Sequence, residues 1–259
     1  MKANAFAKRI GRVLLNFGFD PRRMIYSIAD VPYYFVSLAR LSRKENRREN
    51  WPISVRPALA DRRMSAGVAK GHYFHQDLWA ARRIFQINPK DHIDVGSRVD
   101  GFIAHLLVFR GVTVIDVRDL KSCVTGLSFM KADVLEARAL TGLTADSISS
   151  LHALEHFGLG RYGDPIDVDG WKHGIANLAA VLKRGGTFLL ALPIGRQRID
   201  FNSHRVFSPH TVIAECARNG LELHEFSYID DDGEFHPSCG VTDGGNLEYG
   251  CGCFEFNKY

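Results

Sequence analysis

Apolar positions along this chain alternate between two rhythms. His92–Val95 is a short apolar run ending at Gly96. Phe102, Ile103, Leu106 and Leu107 then recur at helical spacing, and Val112–Asp116 is a second apolar run that closes on an acid. Gly96 and Gly101 bracket the turn between strand and helix, and Gly111 stands where a helix stop is expected. Strand, turn, helix, strand is a βαβ unit. The rhythm continues downstream. Phe129–Asp133 predicts a short strand or turn, and Ser147–Leu151 a buried strand ending at His152. Asp169–Lys183 predicts a helix with Trp171, Ile175, Leu178, Val181 and Leu182 inward, stopped by Gly185 and Gly186. Thr187–Leu192 reads as a strand ended by Pro193, and Thr211–Arg218 as a helix closed by Gly220. Leu221–Ile229 and Cys251–Asn257 read as two strands joined by a long acidic, glycine-rich loop. Upstream, residues 66–87 read as a loop, then a helix from about Gln76 with Leu78, Ala81, Ile84 and Phe85 inward. The whole predicts an α/β fold: a doubly wound, mostly parallel sheet with a terminal antiparallel strand pair.

The first quarter follows another pattern. Residues 2–17 predict an amphipathic helix, with Phe6, Ile10, Val13, Leu14 and Phe17 opposite Lys8, Arg9 and Arg12. A second helix is expected over 22–42 with a break near Pro32, then a charged linker from Arg40 to Asn50. This divides the chain into a helical extension, residues 1–65, and an α/β domain, residues 66–259. Charge supports the division: residues 1–64 carry 14 Lys/Arg against 5 Asp/Glu, whereas residues 65–259 carry 19 against 24. A basic amphipathic helix can lie on an anionic membrane. The preferred expectation is a helical extension packed on the α/β domain or on a second copy of the chain. No nucleic-acid signature appears, so no nucleic-acid partner is expected. Composition is that of a globular protein, with 46% hydrophobic and 24% charged residues. No run spans a bilayer, no signal peptide is evident, and five cysteines form no even framework. A cytoplasmic setting is expected, with any contact to the inner membrane made peripherally through the basic helix.

The βαβ unit places backbone N–H groups and a carboxylate in one crevice. Asp116 follows Gly96 by about 20 residues, the separation at which an acid reaches ribose hydroxyls. These residues do not choose between a dinucleotide and S-adenosylmethionine. Candidate acid–base groups follow the later strands: His152, Glu155 and His156 after Ser147–Leu151, and His204 after the strand ending at Pro193. His152 to His156 also spells the H-x-x-E-H of an inverted zinc peptidase. Here it follows a β-type run and enters glycines, so a chance match is preferred. His236, Cys239, Cys251 and Cys253 lack strong zinc spacing, and buried small hydrophobes are the better reading of the cysteines. Asp230, Asp231, Asp232 and Glu234 read as a solvated loop. No metal site is assigned.

Over residues 70–257 the order of features resembles class I S-adenosylmethionine-dependent methyltransferases. Asp94-Val95-Gly96-Ser97 resembles that family's first motif, Asp116 its ribose-binding acid, and Ala132-Asp133 its adenine-contacting acid. Ser150 to His156 resembles the segment that often ends in Leu-Glu-His, and Leu182 to Phe188 followed by Leu192-Pro193 resembles the turn and fifth strand. More narrowly, HYFHQD, HIDVGSRVDGF and HALEH together resemble the domain-of-unknown-function 268 family, whose members are often associated with bacterial surface-polysaccharide genes. The resemblance implies a Rossmann-like methyltransferase fold, S-adenosylmethionine as cofactor and O-methylation of a sugar or surface-glycan precursor. It implies cofactor contacts from Asp94, Gly96, Ser97, Gly101, Asp116, Asp133 and Leu151, with Tyr73 and Gln76 closing over the amino-acid end. His156 or His204 would be the base, with His152 and Glu155 beside it. Some relatives hold Mg²⁺ at this segment, so Mg²⁺ is an open expectation. Two rivals stand beside this reading: a non-catalytic adaptor, and an NAD(P)-dependent oxidoreductase. Arg98 and Asp100 stand where further glycines are usual, which keeps the adaptor in view; Arg98 also breaks G-x-G-x-x-G, which counts against the oxidoreductase.

Overall fold

A computed structural model describes residues 14, 15, 17–45 and 51–259. The chain divides into two compact units, Met1–Val68 and Ala69–Tyr259. In the first, helix α1 spans Pro21–Glu45. Asp20 starts it, its Oδ1 accepting from the backbone N–H groups of Arg22 and Arg23 at 3.0 Å. The break expected at Pro32 is absent, since a proline removes one backbone donor and the remaining ladder carries the helix across it. Asp30 is buried and pairs with Arg62 and Arg63 at 2.8 and 3.0 Å. The helix expected over 2–17 lies outside the described residues except at its end, where Leu14 and Leu15 are helical. Among the described residues no helix is long and apolar enough to cross a membrane.

The second unit is built on one eight-stranded sheet. Its strands are β1 (His92–Val95), β2 (Val112–Asp116), β3 (Leu127–Lys131), β4 (Ala145–Leu151) and β5 (Leu182–Ile194), followed by β8 (Leu221–Ile229), β9 (Phe235–His236) and β10 (Gly250–Lys258). A separate hairpin pairs β6 (Arg198–Asp200) with β7 (His204–Val206). The order is β3-β2-β1-β4-β5-β10-β8-β9. Strands β1 to β5 pair in parallel, and β10 runs antiparallel between β5 and β8. Helix α2 (His72–Ile87) covers one side; α3 (Gly170–Val181) and α4 (Pro209–Arg218) pack into the core on the other.

Burial on both faces explains the near-continuous apolar strands. In β5, Phe188, Leu190 and Leu192 enter the core beneath α3, while Leu189 and Ala191 enter the core beneath α2. Each large apolar side chain so buried contributes about 1.5–3 kcal/mol.

Some expected boundaries move. Helix α2 starts at His72 instead of Gln76, because Gly71 is tied to the loop after β8 through its N–H to Gly233 O at 2.8 Å. The helix expected after Gly101 begins before it, as a π-helical turn at Val99–Ile103 running into one α-turn, Ala104–Leu106. The glycine pair at 185 and 186 does not stop α3, which ends at Val181. Pairing to β4 instead jumps from Leu182↔Ala145 to Thr187↔Ser147, so residues 183–186 form a bulge within β5. Pro193 does not end β5; it pairs with Cys251, and its carbonyl accepts from Phe207 N at 2.9 Å.

Candidate active site

Strand order reverses beside β1, which opens a crevice at the carboxyl ends of β1, β2, β3 and β4. A cavity of about 570 Å³, counted to its open mouth, lies there. Gly96, Asp116, Asp133, His152, His156 and Tyr162 are among its walls. Gly96 sits at φ +71°, and a Cβ there would meet the Cβ of Ala153 at 2.8 Å. Only glycine fits this position, so the backbone itself forms the floor.

Asp116 ends β2 on the rim, as its spacing predicts. Its carboxylate is gripped by Arg118, with Nη2 donating to Oδ2 at 2.6 Å and Nε to Oδ1 at 3.0 Å. The Arg118 guanidinium lies 4.8 Å from the centre of the Tyr162 ring. Asp133 accepts from Leu135 N at 2.9 Å. Val134, Leu135 and Phe157 make the inner wall apolar, which suits the faces of a heterocycle.

Six residues expected at the cofactor do not line this cavity. Asp94 is fully buried, accepting from Ser97 N at 3.1 Å and from the hydroxyls of Ser97 and Ser149 at 2.6 Å each. Ser97 Oγ in turn accepts from Leu151 N at 3.0 Å. Asp94, Ser97 and Leu151 thus tie β1 to β4 beneath the crevice without lining the cavity. Burial pushes the Asp94 carboxyl up to about 6, against the three hydrogen bonds that favour its charge. Gly101 lies inside the π-helical turn, where a Cβ would collide with the Asp77 carboxylate; its smallness serves packing against α2. Gln76 is buried and donates to Asp77 Oδ1 at 3.2 Å, so it does not close over the cavity. Tyr73 is partly exposed, edge-on to His152 at 5.1 Å between ring centres.

The acid–base candidates gather where β4 ends. His152 adopts the left-handed conformation at φ +54°, and Leu154–His156 forms a single 3₁₀ turn. The two histidines therefore flank Glu155 instead of sharing a helix face, which removes the zinc-peptidase geometry. Glu155 is 2% exposed. His152 Nδ1 lies 3.2 Å from Glu155 Oε1, off the line of a good hydrogen bond, and His156 Nε2 lies 3.7 Å from the same oxygen. Burial alone would raise the Glu155 carboxyl; His152 and then His156 outweigh it and hold the group below its ordinary value. Burial lowers His156, whose Nδ1 donates to Ser203 O at 2.7 Å. His204 does not line the cavity. Its Nδ1 meets Ser203 Oγ at 2.8 Å, and its ring sits 5.1 Å from that of Tyr249.

Sequence reasoning missed several members of the site. His72, at the first position of α2, brings Nδ1 to 3.1 Å from His152 Nε2 and stacks on Tyr249. Burial, then the neighbouring His152, lower His72 to about 4. Arg118 and Tyr162 were equally unflagged, since only the folded chain brings residue 162 over residue 118. The expected Mg²⁺ has no pair of carboxylates at this segment to hold it, Glu155 being flanked by histidines.

With this geometry the molecule can be placed among known proteins. The model of a family described as "Caenorhabditis protein of unknown function, DUF268" matches residues 120–221. No curated protein matches the sequence. Among solved structures, the N-methyltransferase NodS from Bradyrhizobium japonicum WM9, in complex with S-adenosyl-L-homocysteine, is 16% identical. It aligns over 73% of this chain and 88% of its own, with a TM-score of 0.51. The [4+2]-cyclase SpnF, 11% identical, aligns over 74% of this chain and 88% of its own, also with a TM-score of 0.51. The fold is the Rossmann-like fold of class I S-adenosylmethionine-dependent methyltransferases. Since a cyclase shares it, activity must be argued from the site.

Proposed function

We propose that this chain is an S-adenosylmethionine-dependent methyltransferase acting on a hydroxyl of a small sugar or glycan-precursor acceptor. One observation carries the reading: His152 and His156 share the wall of the cavity that Gly96, Asp116 and Asp133 define. The residues fit the cofactor. Gly96 is a floor that any Cβ would fill, and Asp116 offers a carboxylate at the rim where ribose hydroxyls would compete with Arg118 for it. S-adenosylmethionine supplies an already activated methyl group, so alignment does much of the catalysis.

A hydroxyl acceptor must still lose a proton, and His156 suits that task. Burial favours its neutral form, and its Nδ1–H is committed to Ser203 O, which leaves the lone pair on Nε2, where Arg161 Nη1 stands 3.3 Å away and an acceptor would have to displace it. Glu155, 3.7 Å away, would stabilise the imidazolium that results. The hydroxyl class of acceptor rests on this base and the sugar on the family resemblance. The excess of basic residues in 1–64 favours an anionic substrate or membrane neighbour in the cytoplasm. The oxidoreductase rival fits poorly, since an antiparallel β10 between β5 and β8 departs from the dinucleotide-binding strand order.

Ligand-dependent melting tests the proposal. S-adenosylhomocysteine at a hundredfold excess over Kd should stabilise the protein by about 2.7 kcal/mol. NAD should leave the melt unchanged, and Asp116→Ala should abolish the shift. An NAD shift, or no shift with S-adenosylhomocysteine at millimolar concentration, would overturn it.

A further inference from the structure

Beyond the methyl-donor cavity, the end of β4 carries an unusual set of donors. His72 Nδ1, His152 Nε2 and Cys251 Sγ lie within 4.8 Å of one another, and among the described residues no other set of three or more His, Cys, Asp or Glu groups has such spacing. They come from three separate elements: the first turn of α2, the residue after β4 and the second residue of β10. Each is fixed by backbone contacts of its own element. Gly71 N donates to Gly233 O at 2.8 Å just before His72, His152 N donates to Ala191 O at 2.8 Å, and Cys251 pairs with Pro193 and Ile229.

His72 Nδ1 and His152 Nε2 are 3.1 Å apart, a hydrogen bond here that a bound ion would replace. A tetrahedral ion with metal–nitrogen bonds of about 2.05 Å holds its nitrogens about 3.3 Å apart. The other nitrogen of His152 lies 3.2 Å from Glu155 Oε1, out of hydrogen-bond alignment here but near enough for that carboxylate to orient the ring once a metal holds it. The Cys251 thiol makes long contacts, 3.7 Å to Gln76 Oε1 and 3.8 Å to Gly252 O, and has the Cys253 thiol beside it.

We propose that His72, His152 and Cys251 bind one divalent transition-metal ion of the zinc class, with Glu155 orienting His152 from behind. Imidazole and thiol donors select such an ion over Mg²⁺, which prefers oxygen. Binding displaces the Cys251 thiol proton to solvent and leaves the thiolate on the metal. Three protein ligands leave a fourth position open, the pattern of catalytic zinc sites.

Cobalt(II) is the probe. The full chain, stripped with chelator and titrated with Co²⁺, should bind one equivalent and develop a thiolate-to-metal charge-transfer band with tetrahedral ligand-field bands. Zn²⁺ should displace both, and Mg²⁺ should not. Cys251→Ser should remove the charge-transfer band, His72→Gln should weaken binding at least tenfold, and Glu155→Gln should weaken it 10- to 100-fold. Circular dichroism checks that each variant is folded, and His72→Gln, nearer the surface, serves if Cys251→Ser is not. Less than a tenth of an equivalent bound, or a band unchanged in both Cys251→Ser and His72→Gln, would overturn the site. The readout needs no methyl transfer, so failure of S-adenosylhomocysteine to bind leaves it standing.

Discussion

Two buried carboxylates lie on either side of the same crevice, and they are treated differently. Asp94, beneath the cofactor side, receives three hydrogen bonds from Ser97 and Ser149 and makes no contact with the cavity. Glu155, on the acceptor side, has one oxygen near two histidines and the other without a partner. Among the described residues, three of the six buried polar atoms lacking a hydrogen bond belong to His152, Glu155 and His204. The first acid is part of the scaffold, because everything it needs is supplied by the chain. The second is left wanting a partner, and that is the condition of a group meant to meet something from outside.

Removing each acid separates these roles. Asp94→Ala removes the acceptor of Ser97 N–H and of the Ser97 and Ser149 hydroxyls in the core, and should cost about 3 kcal/mol of stability in urea unfolding. A loss under about 1 kcal/mol would mean the serines re-pair among themselves and the scaffold reading is wrong. The scaffold side also sets the acid limit. His92, fully buried between Ser147 and Ser149, is lowered to about 3, chiefly by burial. The unfolded chain takes up this proton near pH 6.5 and the folded chain only near 3, so stability falls as pH drops through that window. His72, lowered to about 4, acts in the same direction between 6.5 and 4. Asp94, raised to about 6, acts oppositely between about 4 and 6 and offsets part of the loss. A net loss on the order of 2 kcal/mol is expected between pH 6.5 and 4, and His92→Gln should flatten the profile, as denaturation at stepped pH would show.

The cofactor side was more legible in the sequence than the acceptor side, for a physical reason. A βαβ unit is local: Gly96, the apolar strands and Asp116 are ordered by spacing along about 20 residues, so pattern alone reaches them. Leu221–Ile229 was placed to the residue because Gly220 precedes it and a polar, glycine-containing loop follows it. Pattern erred where a residue type has two uses. Asp94, Ser97 and Gly101 carry the motif's letters but serve hydrogen bonding and helix packing. The glycines at 185 and 186 form a bulge within β5 instead of a helix stop. The acceptor side depends on contacts distant in sequence. His72 meets His152 across 80 residues, and no periodicity encodes that.

The rim of the cavity gives a smaller test of the same contrast. Arg118 occupies both oxygens of Asp116, so a ligand's ribose must displace a bidentate pair before it binds. Arg118→Ala frees the carboxylate and should tighten S-adenosylhomocysteine severalfold, read by calorimetry. Tightening would show the pair competes with ligand. Weakening would show instead that Arg118 and Tyr162 grip the ligand themselves.

The smallest stability effect should come from the acid that looks most costly. Glu155→Gln keeps the shape of the side chain while removing a buried charge whose second oxygen has no partner. The lost attraction to His152 and His156 is offset by the lost desolvation penalty, so the melting free energy should move by less than about 1 kcal/mol. Turnover should respond much more, falling about 100-fold, because a neutral amide cannot stabilise His156 as it takes a proton. Equal losses in stability and turnover would assign Glu155 to the scaffold with Asp94, and the distinction between the two sides of the crevice would disappear.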